Sequence, residues 1–154
     1  MNRKVVINSC YGGFSLSNLA RQTYYELKNP GKKLYFYKIK SVGKEYKKMS
    51  DEEAYKNNND LFVAVFTEDL GDSFSITKNT PSELYDRFHN SYWWDHNISR
   101  HDEDLVKVVE TLGSEKASGS CAKLEVIDIG DSMYRISEYD GYESIEFPKD
   151  IEWL

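Results

Sequence analysis

Val5-Val6-Ile7-Asn8-Ser9-Cys10-Tyr11-Gly12-Gly13-Phe14-Ser15-Leu16-Ser17 is the stretch from which the rest of the chain is read. Its unbroken β-branched run predicts a strand over Val5 to Ser9, buried on both faces because the apolar residues are continuous rather than alternating. The run breaks at two adjacent glycines, which tolerate positive φ and admit atoms where a side chain would intrude. Ser15 or Ser17 then opens a helix. Strand, glycine hinge and helix N-terminus in succession make a pattern in which backbone amides can meet an anion. Tyr11 and Phe14 flank the hinge and offer ring faces to a nucleobase. The same residues also suit a tight strand-to-helix turn with two aromatics packed inward.

Outward from that stretch, Leu16, Leu19, Ala20, Thr23, Tyr24 and Leu27 form a helical stripe facing a core, stopped by Asn29-Pro30-Gly31. Lys33 to Lys40 reads as a strand with a solvated lysine-bearing face, turning at Gly43 into a short partner strand. Asp51 to Asp60 reads as a loop or frayed helix, and Leu61 to Phe66 as a buried strand. Ser73 to Thr77 adds a short edge strand. Thr80-Pro81-Ser82-Glu83 is a capping box for a helix from Pro81 to about His89. Asn90 to His101 is a loop whose paired Trp93 and Trp94 fill a core or interface, or stack on a ligand.

Asp102 caps a helix carrying Leu105, Val106, Val108, Val109 and Leu112, with Gly113 as its C-terminal cap. Ala122 to Ile129 is a further strand. Met133 to Tyr139 and Tyr142 to Phe147 form a hairpin around Asp140-Gly141. The expectation is one α+β domain over residues 1–154: a mixed, largely antiparallel sheet packed by two or three helices.

Composition narrows the partners. The 154 residues are 40% apolar and 30% charged, the balance of a globular chain, and include 12 tyrosines, which suit interfaces and ligand pockets. Net charge is -6 and unevenly spread. Residues 1–56 hold twelve Lys and Arg against five Asp and Glu; residues 57–154 hold eight against twenty-one. Such a chain lacks the broad basic face that a DNA or RNA polymer requires. The asymmetry lets a basic face of one copy meet an acidic face of another, a pointer to self-association. With two cysteines, no CxxC pair and no apolar run of membrane length, the expectation is a cytoplasmic protein with reduced thiols and no membrane contact.

Catalytic signals are sparse. His89, His96 and His101 fall close to Asp95 and Asp102, but their spacing matches no common zinc pattern, and no GxSxG, HExxH, GxxxxGK[ST] or GxGxxG motif occurs. No catalytic residue, cofactor or metal is therefore expected. A metal-dependent phosphodiesterase built on the histidines is the enzymatic alternative, and a host-protein binder using Trp93 and Trp94 is another. Binding has more support: the hinge, the helix N-terminus and Arg100, whose guanidinium fork can grip a phosphate, are the parts a nucleotide-sized anion needs.

Three segments also carry a resemblance. They are the opening Val5 to Ser17, the stretch Arg100-His101-Asp102-Glu103-Asp104-Leu105-Val106-Lys107-Val108-Val109-Glu110 with the following Leu112-Gly113, Ala117-Ser118-Gly119 and Ala122-Lys123-Leu124, and the hairpin Ile136 to Glu143. Together they resemble a family of small bacteriophage proteins that includes anti-CBASS sponges, which sequester cyclic nucleotide immune signals without cleaving them. Glu103 stands where the family pattern often has proline, and residues 30–99 show no such likeness. The resemblance implies a homo-oligomer, dimer or tetramer, that binds a cyclic dinucleotide such as cyclic GMP-AMP in the host cytoplasm. It implies Tyr11 and Phe14 at the base, Gly12, Gly13 and Ser15 near phosphate or ribose, and Arg100 on phosphate. Tyr139 and Asp140 of the hairpin join them.

Overall fold

The computed structural model describes residues 3–40, 44–56, 62–95 and 97–148. In chain order these form β1 (Arg3–Asn8), α1 (Asn18–Lys28), β2 (Tyr35–Lys40), β3 (Glu45–Lys48), α2 (Asp51–Lys56), β4 (Val63–Phe66), β5 (Ser73–Ser75), α3 (Ser82–Ser91), α4 (Glu103–Ala117), β6 (Leu124–Gly130), β7 (Arg135–Tyr139) and β8 (Tyr142–Glu146). The fold is α+β, with every described strand pairing antiparallel. The strands divide among three sheets, β1-β6, β4-β2-β3-β5 and β7-β8, where the sequence suggests one. The physical reason lies at the outer edge of β1. There the Val6 amide donates to the Arg100 carbonyl and the Asn8 amide to the Glu143 carboxylate, so no further strand can pair.

The apolar run of β1 is continuous because both faces are covered, as expected. Val6 packs with Ala20 and Tyr24 of α1 and with Leu105 and Val109 of α4. Val5 and Ile7 face the other way, with Ile129, against Ile136 and Ile145 of the hairpin. Ser17 is the N-cap of α1: its hydroxyl accepts from the Ala20 amide and donates to the Lys116 carbonyl. Two amide side chains fix the opposite side of α1. Asn18 donates to the Ala54 carbonyl and Gln22 accepts from the Leu34 amide. Leu27, expected in the core stripe, lies in the last turn of α1 and is exposed, although Ala20 and Tyr24 on the same face are buried.

The four-stranded sheet is buried on both faces around Phe36 and Tyr37, so the solvated face expected for β2 is confined to its lysine end. One face packs Leu34, Phe36, Met49 and Val65 with Ala54 of α2. The other is an aromatic layer of Tyr37, Tyr46, Phe66 and Phe74 under Phe88 of α3. Trp93 touches both this sheet and the cluster around β1, joining the two halves of the core.

Local departures from the sequence reading have local causes. Phe62 precedes β4 and is exposed, because its position falls past the end of the aromatic layer. Thr80 does not cap α3. Its hydroxyl is taken by the Thr77 amide, and Pro81 stands at the N-cap. Asp51 to Lys56 form a true helix, whereas residues 57–61, Gly43 and His96 lie outside the described residues. Gly113, at φ 83° and ψ 162°, interrupts α4 rather than ending it, and one more turn runs to Ala117.

Two core tyrosines make the fold sensitive to alkali. Burial pushes the Tyr37 hydroxyl up from 10.0 to about 12; it donates to the Gly71 carbonyl and accepts from the Leu70 amide. Burial, then the bond to Asp102, raises Tyr24 likewise to about 12. Raised values mean that the folded state keeps protons the unfolded chain loses, so this stabilisation is complete below pH 10 and disappears as pH rises through about 12. In a titration followed by tyrosinate absorbance and circular dichroism, these two hydroxyls should ionise together with unfolding. Ionisation of all tyrosines near pH 10 in an intact fold would contradict the placement.

Candidate binding site

The two glycines of the hinge are required by the protein's own backbone. The hairpin tip, with Asp140 at φ 50° and Gly141 at φ 85°, is a type I′ turn that lies directly on them. The Gly12 amide donates to the Asp140 carbonyl at 3.3 Å, and a Cβ on Gly141 would collide with the amide nitrogens of Gly12 and Gly13. From the other side, a Cβ on Gly12 would lie 2.7 Å from the Cβ of Cys121. Gly119 donates to the Ser15 carbonyl at 2.9 Å and packs against the Ser15 side chain. Three chain segments thus meet backbone to backbone.

A buried polar network locks this junction. Asn8, fully buried at the end of β1, donates to the carbonyls of Cys10 and Gly141 and accepts from the Lys123 amide. Its own amide is held by Glu143, which is 6% exposed. Glu143 in turn binds Arg100 through two parallel bonds of 2.5 and 2.8 Å. The Arg100 guanidinium lies over the Phe14 ring, 3.6 Å from its centroid.

These contacts sort the expected site residues. Gly12, Gly13 and Ser15 form the junction. Phe14 is half-buried beneath Arg100, and the fork of Arg100 is engaged by Glu143 rather than open to solvent. The N-terminus of α1 is no open anion seat: Ser17 and Asn18 are buried, and the Ser17 amide donates to the Ala117 carbonyl. Tyr11, Tyr139 and Asp140, by contrast, share one exposed edge. Tyr11 is 61% and Tyr139 78% exposed. Tyr142, directly opposite Tyr139 in the hairpin, packs on Tyr11 with centroids 5.3 Å apart. The C-terminal end of α4 and the 118–123 turn, whose Cys121 lies against Gly12, line an open groove of about 570 Å³ that includes Glu115, Ser120 and Lys123.

Tyr142, Asn8 and Glu143 are the residues sequence reasoning missed. A two-residue Asp-Gly hairpin makes Tyr142 the cross-strand partner of Tyr139, so that member was available from the pattern. Asn8 follows Val5-Val6-Ile7 and precedes Ser9, so in sequence it reads as the polar end of the strand, with no sign of a buried hydrogen-bond hub. Glu143 carried no local signal, since its partners are 43 and 135 residues away.

The two described histidines, His89 and His101, are engaged separately. His89 packs on Tyr85 with centroids 4.4 Å apart, and Nδ1 of His101 lies 2.6 Å from the Tyr134 hydroxyl. Asp95 pairs with Arg21, and Asp102 caps α4. Among the described residues no three metal-ligating side chains converge, and no helix is long and apolar enough to cross a membrane. Compared with protein-family models, curated proteins and solved structures, the chain finds no match in any of the three.

The packing of the junction separates two otherwise similar substitutions. Gly141→Ala combines a positive φ with a backbone collision and should lower stability by about 3 kcal/mol or more. Gly13→Ala places its Cβ in open space and bears the backbone strain alone, about 1 to 2 kcal/mol. Urea unfolding of both variants measures the difference; equal effects would contradict the close approach.

Proposed function

We propose that the chain is a non-catalytic binding protein that captures a cyclic dinucleotide, such as cyclic GMP-AMP, and holds it intact, as a small bacteriophage protein would to silence a host immune signal. The observation that carries this reading is the tyrosine edge: Tyr11, Tyr139 and Tyr142 stand exposed on a turn whose backbone is fixed by the Asn8 network. Rings held on a rigid base lose little freedom on binding, and stacking on an aromatic face contributes about 1 to 3 kcal/mol per base. The resemblance of the same segments to the sponge family supplies the ligand class.

With its fork held by Glu143, Arg100 serves as the support of Phe14 and β1, and the ligand's phosphates fall to Lys123 and Ser120 of the adjoining groove. An edge of this kind covers one side of a ligand. A second copy closing over the other side accounts for a homo-oligomer, dimer or tetramer. Hydrolysis is the weaker reading, because the described histidines are tied to separate partners.

The test is to incubate the purified protein with a panel of cyclic di- and trinucleotides, remove unbound ligand, denature with heat and identify what is released. Recovery of one intact cyclic nucleotide is expected. Tyr11→Ala should weaken its binding by about 1 to 3 kcal/mol in a protein that remains folded. Cleaved products would favour the phosphodiesterase, and unchanged affinity in Tyr11→Ala would remove the tyrosine edge from the site.

A further inference from the structure

The β1-β6 sheet has an outer edge on β6 to which no described residue pairs. On β1, Val6 and Asn8 turn their amides outward, to Arg100 and Glu143, while the Ser9 amide reaches back to the Lys123 carbonyl. Main-chain groups alternate in direction along a strand, so the register Val5 to Ile127 and Ile7 to Glu125 fixes which groups of β6 face β1: those of Lys123, Glu125 and Ile127. Those of Leu124, Val126 and Asp128 point the other way. The Leu124 amide is taken there by the Ser118 hydroxyl. The Leu124 carbonyl and the amides and carbonyls of Val126 and Asp128 meet no protein partner among the described residues.

Free edges are ordinarily blunted by short length, lysine, proline or a bulge. β6 runs for 7 residues, Leu-Glu-Val-Ile-Asp-Ile-Gly, without lysine or proline, and its register shift lies at the far end, by Gly130. Val126 and Ile127 stand half-buried at its middle, one packed on the core under α4 and the other on the side of the hairpin. With both faces of the strand occupied, the edge is the surface left to bind.

We infer that this edge pairs with the same edge of a second copy, antiparallel about a two-fold axis at Ile127, joining the two β1-β6 sheets into one of four strands. In that register Val126 lies opposite Asp128 of the partner subunit, and the two residues exchange both main-chain bonds; the two-fold repeats the exchange. Ile127 meets Ile127 of the partner subunit at the closer, non-hydrogen-bonded spacing, and Glu125 falls opposite an isoleucine. An axis at Glu125 or at Asp128 would instead set two carboxylates directly against each other, which destabilises. Antiparallel alignment also brings the Lys123 end of each β6 beside the acidic end of the other, which carries Asp128 and Asp131. Those ends are complementary in charge, and a parallel alignment would separate them. Tyr11, Tyr139 and Tyr142 lie on other elements, so the pairing stands independently of nucleotide capture.

Sedimentation velocity of the full chain without ligand, from low micromolar to submillimolar concentration, tests this together with amide hydrogen exchange read by NMR. A reversible species of twice the 18.0 kDa chain is expected. The Val126 and Asp128 amides should be protected where the dimer prevails and lose that protection on dilution, while those of Glu125 and Ile127, which face β1, stay protected throughout. Asp128→Pro removes an outward amide at an exposed edge position and should weaken self-association at least about fivefold with an unchanged circular dichroism spectrum. A chain that stays monomeric at submillimolar concentration overturns the pairing and leaves the edge to an extended segment of another protein. A dimer whose Val126 and Asp128 amides exchange as fast as in the monomer, or one that a folded Asp128→Pro forms equally well, overturns it too.

Discussion

The bidentate pair between Arg100 and Glu143 is the interaction on which the arrangement around β1 depends. It joins residues 43 positions apart and places one carboxylate oxygen on the Asn8 amide, closing the outer edge of the first strand. Both charges are largely removed from water, so the pair holds only because its partners are matched; removing one partner of such a buried pair typically costs about 3 to 5 kcal/mol. From it follow the termination of the β1-β6 sheet, the seat of Phe14 and the docking of the hairpin. Asn8 completes the lock by satisfying three backbone groups that the junction would otherwise bury unpaired.

That junction explains why glycines cluster where they do. Gly12, Gly119 and Gly141 stand where another segment's backbone or Cβ approaches too closely for a side chain. The hinge that suggests a phosphate cradle in sequence is filled by the protein itself, and the exposed chemistry moves outward to the tyrosines that the hairpin carries. The glycine-aromatic motif thus builds a tightly packed junction, with Phe14 held under Arg100 and Tyr11 left exposed at its rim.

Periodicity and turn chemistry made most of the elements legible. The continuous β1 run, the Asp102 cap and the Asp140-Gly141 turn all act within a few residues, and each appears as read. What escaped is long-range. The division into three sheets depends on Arg100 and Glu143 meeting across the chain, and the burial of Asn18 and Gln22 depends on partners in α2 and at Leu34, ahead of β2. The capping box at Thr80 failed because its hydroxyl had a nearer amide in Thr77. Of the expected site residues, Tyr11, Tyr139 and Asp140 converge on one surface. Arg100 and Phe14 were singled out for a ligand and instead hold each other.

Native-state hydrogen exchange at the Asn8 amide, read by NMR, tests the central role of the Glu143 lock most directly. A donor buried against a locked carboxylate should exchange only when the whole protein unfolds, giving an opening free energy equal to that from denaturant unfolding. An opening free energy lower by about 2 kcal/mol or more, the signature of local fluctuation, would contradict it.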